Sequence, residues 1–354
     1  MLDRRTDELQ SGRFAASDGE ARPPATSWRT DLKNRVVTWG IRVVCGADST
    51  ISASAAADVS VVRAGLGMLW LRMLGALGVR SFVSRSGLGH KFVCHVGDLA
   101  EHPFYVPNAF RNELALCAAW LEQETAPVAY DVGANVGFFC TQLAQMVATP
   151  TQIYAFEPVP TTFVKLVQSV RRLGLADRVH TIAAAVGEDH APLQMNYSDG
   201  NSLYAQIRSD EPNPRAGSAL AYAAAVTLDS FHAAAAATPA LIKIDVEGSE
   251  IAVLRGAERL LARDAPPAVM FEYNPMTLAE RGASTREFAA LLAGYELFYV
   301  DDLEGQRLRF GAPVPEVDDI DWICNVFAVP RAAVASGRWA AALARASRRV
   351  GAGD

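Results

Sequence analysis

Two hydrophobic rhythms divide the chain near Glu101. Upstream, residues 61–83 are mostly apolar, and Leu66, Leu69, Met73 and Leu77 recur at helical spacing. That period predicts an amphipathic helix packed on the main domain; a lid or dimer helix over a hydrophobic substrate and a membrane-surface role are the alternatives. Residues 1–60 are polar, then Ala/Ser-rich, without a sustained period, and predict a weakly ordered start. Residues 61–100 then form a helical lid or extension. Ser86-Gly87-Leu88-Gly89-His90-Lys91 lacks phosphate-loop spacing and predicts a turn. Downstream, short apolar runs alternate with helix-length segments, the pattern of a βαβ sheet. Strands are predicted at 128–132, 152–156, 179–184, 241–246 and 268–273. Helices follow from Gly137, from Thr161 as N-cap, and from Ser249, with Ile251, Leu254, Ala257 and Leu261 on one apolar face. Residues 296–300 and 307–310 flank a turn at 301–305 and read as a hairpin, and 322–329 supply a last strand. The main domain spans 101–330; an arginine-bearing helix and tail occupy 331–354.

Composition narrows the class of partner. The 354 residues are 50% hydrophobic with a net charge of −6, which excludes a disordered chain. Five arginines and one aspartate in the last 24 residues leave the remainder near −10, so nucleic acid is an unfavourable partner. Cys45, Cys94, Cys117, Cys140 and Cys324 are scattered without metal-ligand spacing and suit reduced thiols in a cytoplasmic protein. The first residues lack the apolar stretch of a secretory signal, and Arg63, Arg72 and Arg80 interrupt the one apolar segment long enough to suggest a membrane span.

The chemistry concentrates at three strand ends. In Tyr130-Asp131-Val132-Gly133-Ala134-Asn135-Val136-Gly137-Phe138 an apolar strand ends in an acid, and a glycine turn then opens a helix. Gly133 and Gly137 let the backbone approach a ligand, and N–H groups at the helix start favour an anionic group. The G-x-x-x-G spacing is not the dinucleotide fingerprint, which needs a tight first glycine pair for a pyrophosphate. Glu157 ends the second strand, 26 residues beyond Asp131, where an acid accepts hydrogen bonds from both ribose hydroxyls. Ribose recognition without pyrophosphate points to an adenosine ligand such as S-adenosyl-L-methionine. Asp245 and Glu272 close two further strands, where they can serve as base, hydrogen-bond a substrate, or hold a divalent cation such as magnesium. Glu247 and Glu250 also complement the dipole of the following helix.

The glycine turn, the Phe156-Glu157-Pro158 step and above all Ile242-Lys243-Ile244-Asp245-Val246-Glu247-Gly248 resemble the FkbM family of class I methyltransferases, over about residues 113–329. Thr227-Leu228-Asp229 and Leu254-Arg255-Gly256-Ala257 share in the resemblance. It implies a Rossmann-like class I methyltransferase fold, an α/β architecture with a mostly parallel seven-stranded sheet and helices on both faces, plus an N-terminal helical extension. It further implies that Asp131, Gly133, Asn135 and Gly137 embrace the methionine end of S-adenosyl-L-methionine, that Glu157 holds the ribose, and that Ala184-Ala185-Val186 border the adenine. Asp245 joins the cofactor site, and Glu113 matches an acid the family often places before the first strand; an ordinary exposed helix glutamate is the alternative there. The expected activity is O-methylation of a small-molecule hydroxyl in a natural product, sugar or lipid by in-line displacement, with Asp245 or Glu272 as base or a cation that acidifies the hydroxyl.

His102 is an alternative base, whereas His180 and His232 read as structural. Tyr197, Asp199, Asn201, Ser202 and Tyr204 form an insert able to line a polar pocket, or ordinary turns. A nicotinamide-dependent oxidoreductase is a rival reading, and a non-catalytic cofactor-binding partner is another, favoured by the helices at 61–83 and 331–350 as interaction surfaces. A homo-oligomer stays open.

Overall fold

The computed structural model describes residues 61–97, 110–198, 201–207, 219–280, 285–301, 303–304, 307–308, 310–314, 320 and 323–351. The expected loose start at 1–60, Cys45, His102, Asp199 and Trp322 lie outside them.

The central sheet has seven strands: β3 (Val128–Val132), β4 (Gln152–Phe156), β5 (Val179–Ile182), β10 (Leu241–Ile244), β11 (Ala268–Tyr273), β12 (Tyr295–Asp301) and β15 (Cys324–Pro330). Their order is β12-β15-β11-β10-β3-β4-β5, and β15 alone runs against the rest. The chain moves outward from β3 through β4 to β5, then returns to β10 on the other side of β3. The crevice created by that reversal is where open α/β sheets bind ligands.

Alternation along the strands sends two apolar sets to opposite faces. On one face, Ala129, Leu241, Ala268, Met270 and Phe327 meet four helices: α2 (Arg111–Leu121), α3 (Phe138–Met146), α4 (Pro160–Leu173) and α11 (Arg338–Gly351). On the other, Tyr130, Val132, Ile242, Ile244, Val269 and Phe271 meet α5 (Leu228–Ala235), α6 (Glu250–Arg255), α7 (Glu258–Leu261), α8 (Pro275–Glu280) and α9 (Thr285–Leu291). This is the mostly parallel sheet, covered on both faces, that the sequence predicts.

Several local expectations need correction. The helix read over 61–83 is shorter, α1 (Val61–Ala76), and is followed by the hairpin β1 (Ser81–Arg85) and β2 (Lys91–His95) around the expected 86–91 turn. Its buried stripe is Leu71 and Leu74, which pack with Phe82, Phe92 and Phe138. The predicted stripe instead faces outward, with Leu69 64%, Met73 43% and Leu77 70% exposed. A helix apolar nearly all round gives period no basis for choosing a face; the hairpin chooses it. The hairpin is clamped to the main domain by Lys91 and Gln145, paired through backbone N–H to Oε1 at 3.0 Å and Nε2 to carbonyl at 2.7 Å.

Helix α4 begins at Pro160, with Val159 rather than Thr161 at its cap; proline is pre-shaped for a first helical position. The helix expected from Ser249 breaks into α6 and α7 at Gly256, where a Cβ would lie 2.0 Å from the Gly187 carbonyl oxygen. β5 stops at Ile182, and the chain leaves the central sheet for an insert of β6 (Ala185–Val186), β7 (Pro192–Ser198), β8 (Asn201–Ile207) and β9 (Ala219–Val226). Late in the chain the hairpin is smaller than predicted: β13 (Leu303–Glu304) pairs with β14 (Arg307–Leu308), while β12 pairs with β15.

The arginine-bearing segment forms α10 (Arg331–Ala335) and α11, with Gly337 between them. Trp339, Ala342 and Ala346 of α11 are buried in the core, and two of its arginines pair with acids that follow α2, Arg338 with Glu124 at 2.8 Å and Arg349 with Glu122 at 2.5 Å. Much of the surface expected to meet a partner is therefore spent on the protein's own fold.

Candidate active site

The α2/α3 face of the sheet changes character at its carboxyl ends. Ala129 is followed two residues on by Asp131, Leu241 by Lys243, and Met270 by Glu272; the antiparallel β15 puts Asn325 two residues before Phe327. In register, Lys243 stands beside Asp131, and Glu272 beside Asn325. One apolar face thus ends in a polar row at the topological crevice.

The glycine turn sits at the first strand of this row. Gly133 has φ of +76°, and a Cβ there would lie 1.8 Å from the Asp245 carbonyl oxygen, so the turn and the end of β10 touch backbone to backbone. A side chain at Gly137 would collide with Leu166 at 2.7 Å. Between them Asn135 also adopts a left-handed conformation, φ 51°. Its N–H donates to Glu157 Oε2 at 3.0 Å, while its own amide oxygen is buried with no hydrogen-bond partner among the described residues. A buried acceptor left unmatched is costly unless a ligand donor completes it. Glu157 Oε1 accepts the Val159 N–H at 2.8 Å. Burial pushes the Glu157 carboxyl up to about 7, against the pull of those two N–H groups.

Lys243 links this turn to the next strand. Every residue of β10 is buried, and a buried ammonium needs acidic partners. Its Nζ lies 3.2 Å from Asp131 Oδ1 and 3.3 Å from Asp245 Oδ2, and it donates to the Gly133 carbonyl at 3.2 Å. Burial works to lower the ammonium's pKa, but Asp131 and Asp245 overcome it and the net shift is upward. For Asp131 burial wins: its carboxyl is raised although Lys243 pulls it down. The ion pair is close in distance without an aligned hydrogen bond, and neither Asp131 oxygen has one among the described residues.

β10 ends at Ile244, two residues earlier than predicted, although the Asp245 N–H still reaches the Val132 carbonyl at 3.0 Å. The chain then turns through Glu247, φ 55°, an unusual conformation for a residue with a side chain. Glu250 Oε1 accepts the N–H groups of Val246 at 3.2 Å and Gly248 at 3.1 Å, so it holds the loop as well as complementing its helix. Burial raises Glu272 well above the ordinary carboxylate range, reinforced by Asp245, Glu247 and Glu250. Glu247 is lifted to about 8, by burial and then by Asp245 and Glu250. Glu113 is buried rather than an exposed helix residue, and its Oε1 accepts the Asn325 amide at 2.9 Å.

Asp131, Gly133, Asn135, Gly137, Glu157 and Asp245 are thus brought together; Glu272 joins them across the sheet, and Glu113 approaches from α2 through Asn325. Ala185 lies in the insert, buried with Met195 and with Val159, whose N–H Glu157 accepts. The sequence reading gave no role to Lys243 or Asn325. A lysine inside the apolar run Leu241-Ile242-Lys243-Ile244 was a usable signal for the first, whereas Asn325 acquires meaning only from strand pairing. His180 stacks on Tyr154 at 4.9 Å and contacts Gln152 at 2.5 Å, and His232 lies 3.3 Å from the Ala237 carbonyl, both in structural settings. Cys94, Cys117, Cys140 and Cys324 are buried.

A divalent cation does not fit the donor set. Among the described residues no three His, Cys, Asp or Glu side chains gather to hold one, and the Lys243 ammonium already faces Asp245. No helix among the described residues is long and apolar enough to cross a membrane.

Residues 131–297 match the family model described as Methyltransferase FkbM domain. No curated protein matches the chain. Among solved structures, the precorrin-6y C5,15-methyltransferase from Geobacter metallireducens GS-15 is similar at 12% identity, over 61% of this chain and 87% of that one, with a TM-score of 0.33. A SAM-dependent O-methyltransferase from Thermotoga maritima matches at 13% identity over 70% and 76%, TM-score 0.34. A SAM dependent methyltransferase from Aquifex aeolicus matches at 17% over 62% and 92%, TM-score 0.32.

Proposed function

We propose, from the match of residues 131–297 to a methyltransferase FkbM domain, that the protein transfers a methyl group from S-adenosyl-L-methionine to a hydroxyl of a small molecule: a natural product, a sugar or a lipid-like acceptor. The observation that carries this reading is the paired turn and acid: the Cβ-free approach at Gly133, the unmatched Asn135 oxygen, and Glu157 at the end of the adjoining strand. The net charge of −6 supports a small molecule over a nucleic acid.

When bound, the cofactor supplies a sulfonium methyl with a good leaving group. Asp131, Gly133, Asn135 and Gly137 hold its methionine end. Each Glu157 oxygen accepts one N–H and keeps a lone pair for a ribose hydroxyl. Ala185 borders the adenine, and Glu113 acts through Asn325. Asp245, 28% exposed at its side chain, or Glu272 takes the hydrogen bond and then the proton of the acceptor hydroxyl. Alignment of nucleophile and methyl group does most of the remaining work.

Calorimetric titration with S-adenosyl-L-methionine and with a nicotinamide dinucleotide tests the reading. Binding of the first alone is expected; binding of the dinucleotide alone would replace it with an oxidoreductase. Mass spectrometry then follows the gain of one methyl group by candidate acceptors. Asp245→Ala should abolish the transfer in a chain that still folds, and an unchanged rate would remove Asp245 from the mechanism.

A further inference from the structure

We propose that Lys243 is a positioning residue for cofactor binding, whose ammonium holds the glycine turn and the Asp245 loop in one fixed relation; the inference rests on the methyltransferase reading. A lysine ammonium has three N–H donors. Here three oxygens surround it, one from each part of the crevice: the Gly133 carbonyl in the turn, which accepts a hydrogen bond at 3.2 Å, and the ion-paired Asp131 Oδ1 at 3.2 Å on β3 and Asp245 Oδ2 at 3.3 Å past β10. Phe139, one residue into α3 from the helix start, lies under the same ammonium at 5.5 Å from its ring centroid. The Gly133 contact gives the arrangement its consequence. The turn already abuts the Asp245 carbonyl so closely that no Cβ fits, so a small shift of either segment changes the ligand-facing geometry of both.

A simpler role is charge compensation alone, since an unpaired Asp131 would be a buried carboxylate without a counterion. A double-variant comparison separates the two. Asp131→Asn removes the charge that needs compensation, and Asp131→Asn/Lys243→Met removes the ammonium from that neutralised background. Wild type, both variants and Lys243→Met are titrated with S-adenosyl-L-methionine by calorimetry, and cooperative melting is recorded for each. Positioning predicts that the double variant melts near Asp131→Asn but binds about tenfold or more weakly than it, the loss expected for a charge-assisted contact. Equal affinity of the two would overturn positioning and leave compensation. If Lys243→Met alone fails to fold, the double variant still decides. Absence of binding to wild type would instead overturn the methyltransferase reading itself.

Discussion

The two faces of the central sheet are made from alternate residues of the same strands, yet they end differently. Under α5–α9 the face stays apolar to the carboxyl ends, through Val132, Ile244 and Phe271 to Tyr273. Under α2 and α3 it turns polar in its last positions, at Asp131, Lys243, Glu272 and Asn325. The first face is a continuous core; the second is a core at one end and a polar row at the other. Burial alone therefore does not separate the core from the candidate site, because Asp131 and Lys243 are as enclosed as their apolar neighbours. What separates them is whether the side chain's partners are apolar or charged.

The strongest way to break the polar face is Gly133→Ala. A Cβ directed at the Asp245 carbonyl oxygen, on a residue at φ +76°, should cost more than about 4 kcal/mol and abolish cofactor binding, as read by chemical denaturation and calorimetry. The matching change on the apolar face is Phe271→Ala, which removes a ring stacked 5.0 Å from Phe288. It should cost about 3–5 kcal/mol while the folded fraction keeps its cofactor affinity. Loss of affinity there would show that the two faces are not separable.

Glu157→Gln is a smaller and sharper change, with a weakening of about tenfold for S-adenosyl-L-methionine. Its pH dependence carries a sign. The folded chain holds the Glu157 proton up to about 7, above the ordinary 4.5, so this group's contribution to stability is largest at low pH and declines as pH rises from about 4.5 to 7. Ribose hydroxyls favour the ionised carboxylate, so cofactor affinity should rise as pH passes through about 7. Both slopes should flatten in Glu157→Gln, as measured by melts and titrations between pH 5 and 8. Smallest of all, Arg345→Ala removes a partly exposed pair with Glu122 at 3.5 Å and should change stability by less than about 1 kcal/mol. Metal chelation should leave methyl transfer unchanged, consistent with the donor set.

The sheet was legible in the sequence because its strands are short apolar runs with acids at their ends: 128–132, 152–156 and 268–273 coincide with β3, β4 and β11. The candidate site was legible in part for the same reason, since Asp131 and Glu157 interrupt apolar runs at recognisable distances from glycine and proline. Where tertiary packing makes the choice, the sequence was silent. Nothing in residues 61–83 says that Leu71 and Leu74, rather than Leu69 and Met73, will meet a hairpin. Likewise, the bond from Asn325 to Glu113 spans the chain and depends on β15 running backwards beside β11.

The most direct measurement is a crystal structure of the protein soaked with S-adenosyl-L-methionine. The account predicts the adenosine lying across the carboxyl ends of β3 and β4, with its ribose hydroxyls within hydrogen-bond distance of Glu157 and its methionine end against the Gly133 turn. A crevice left empty at saturating cofactor, or filled instead by a molecule bearing a diphosphate, would contradict it.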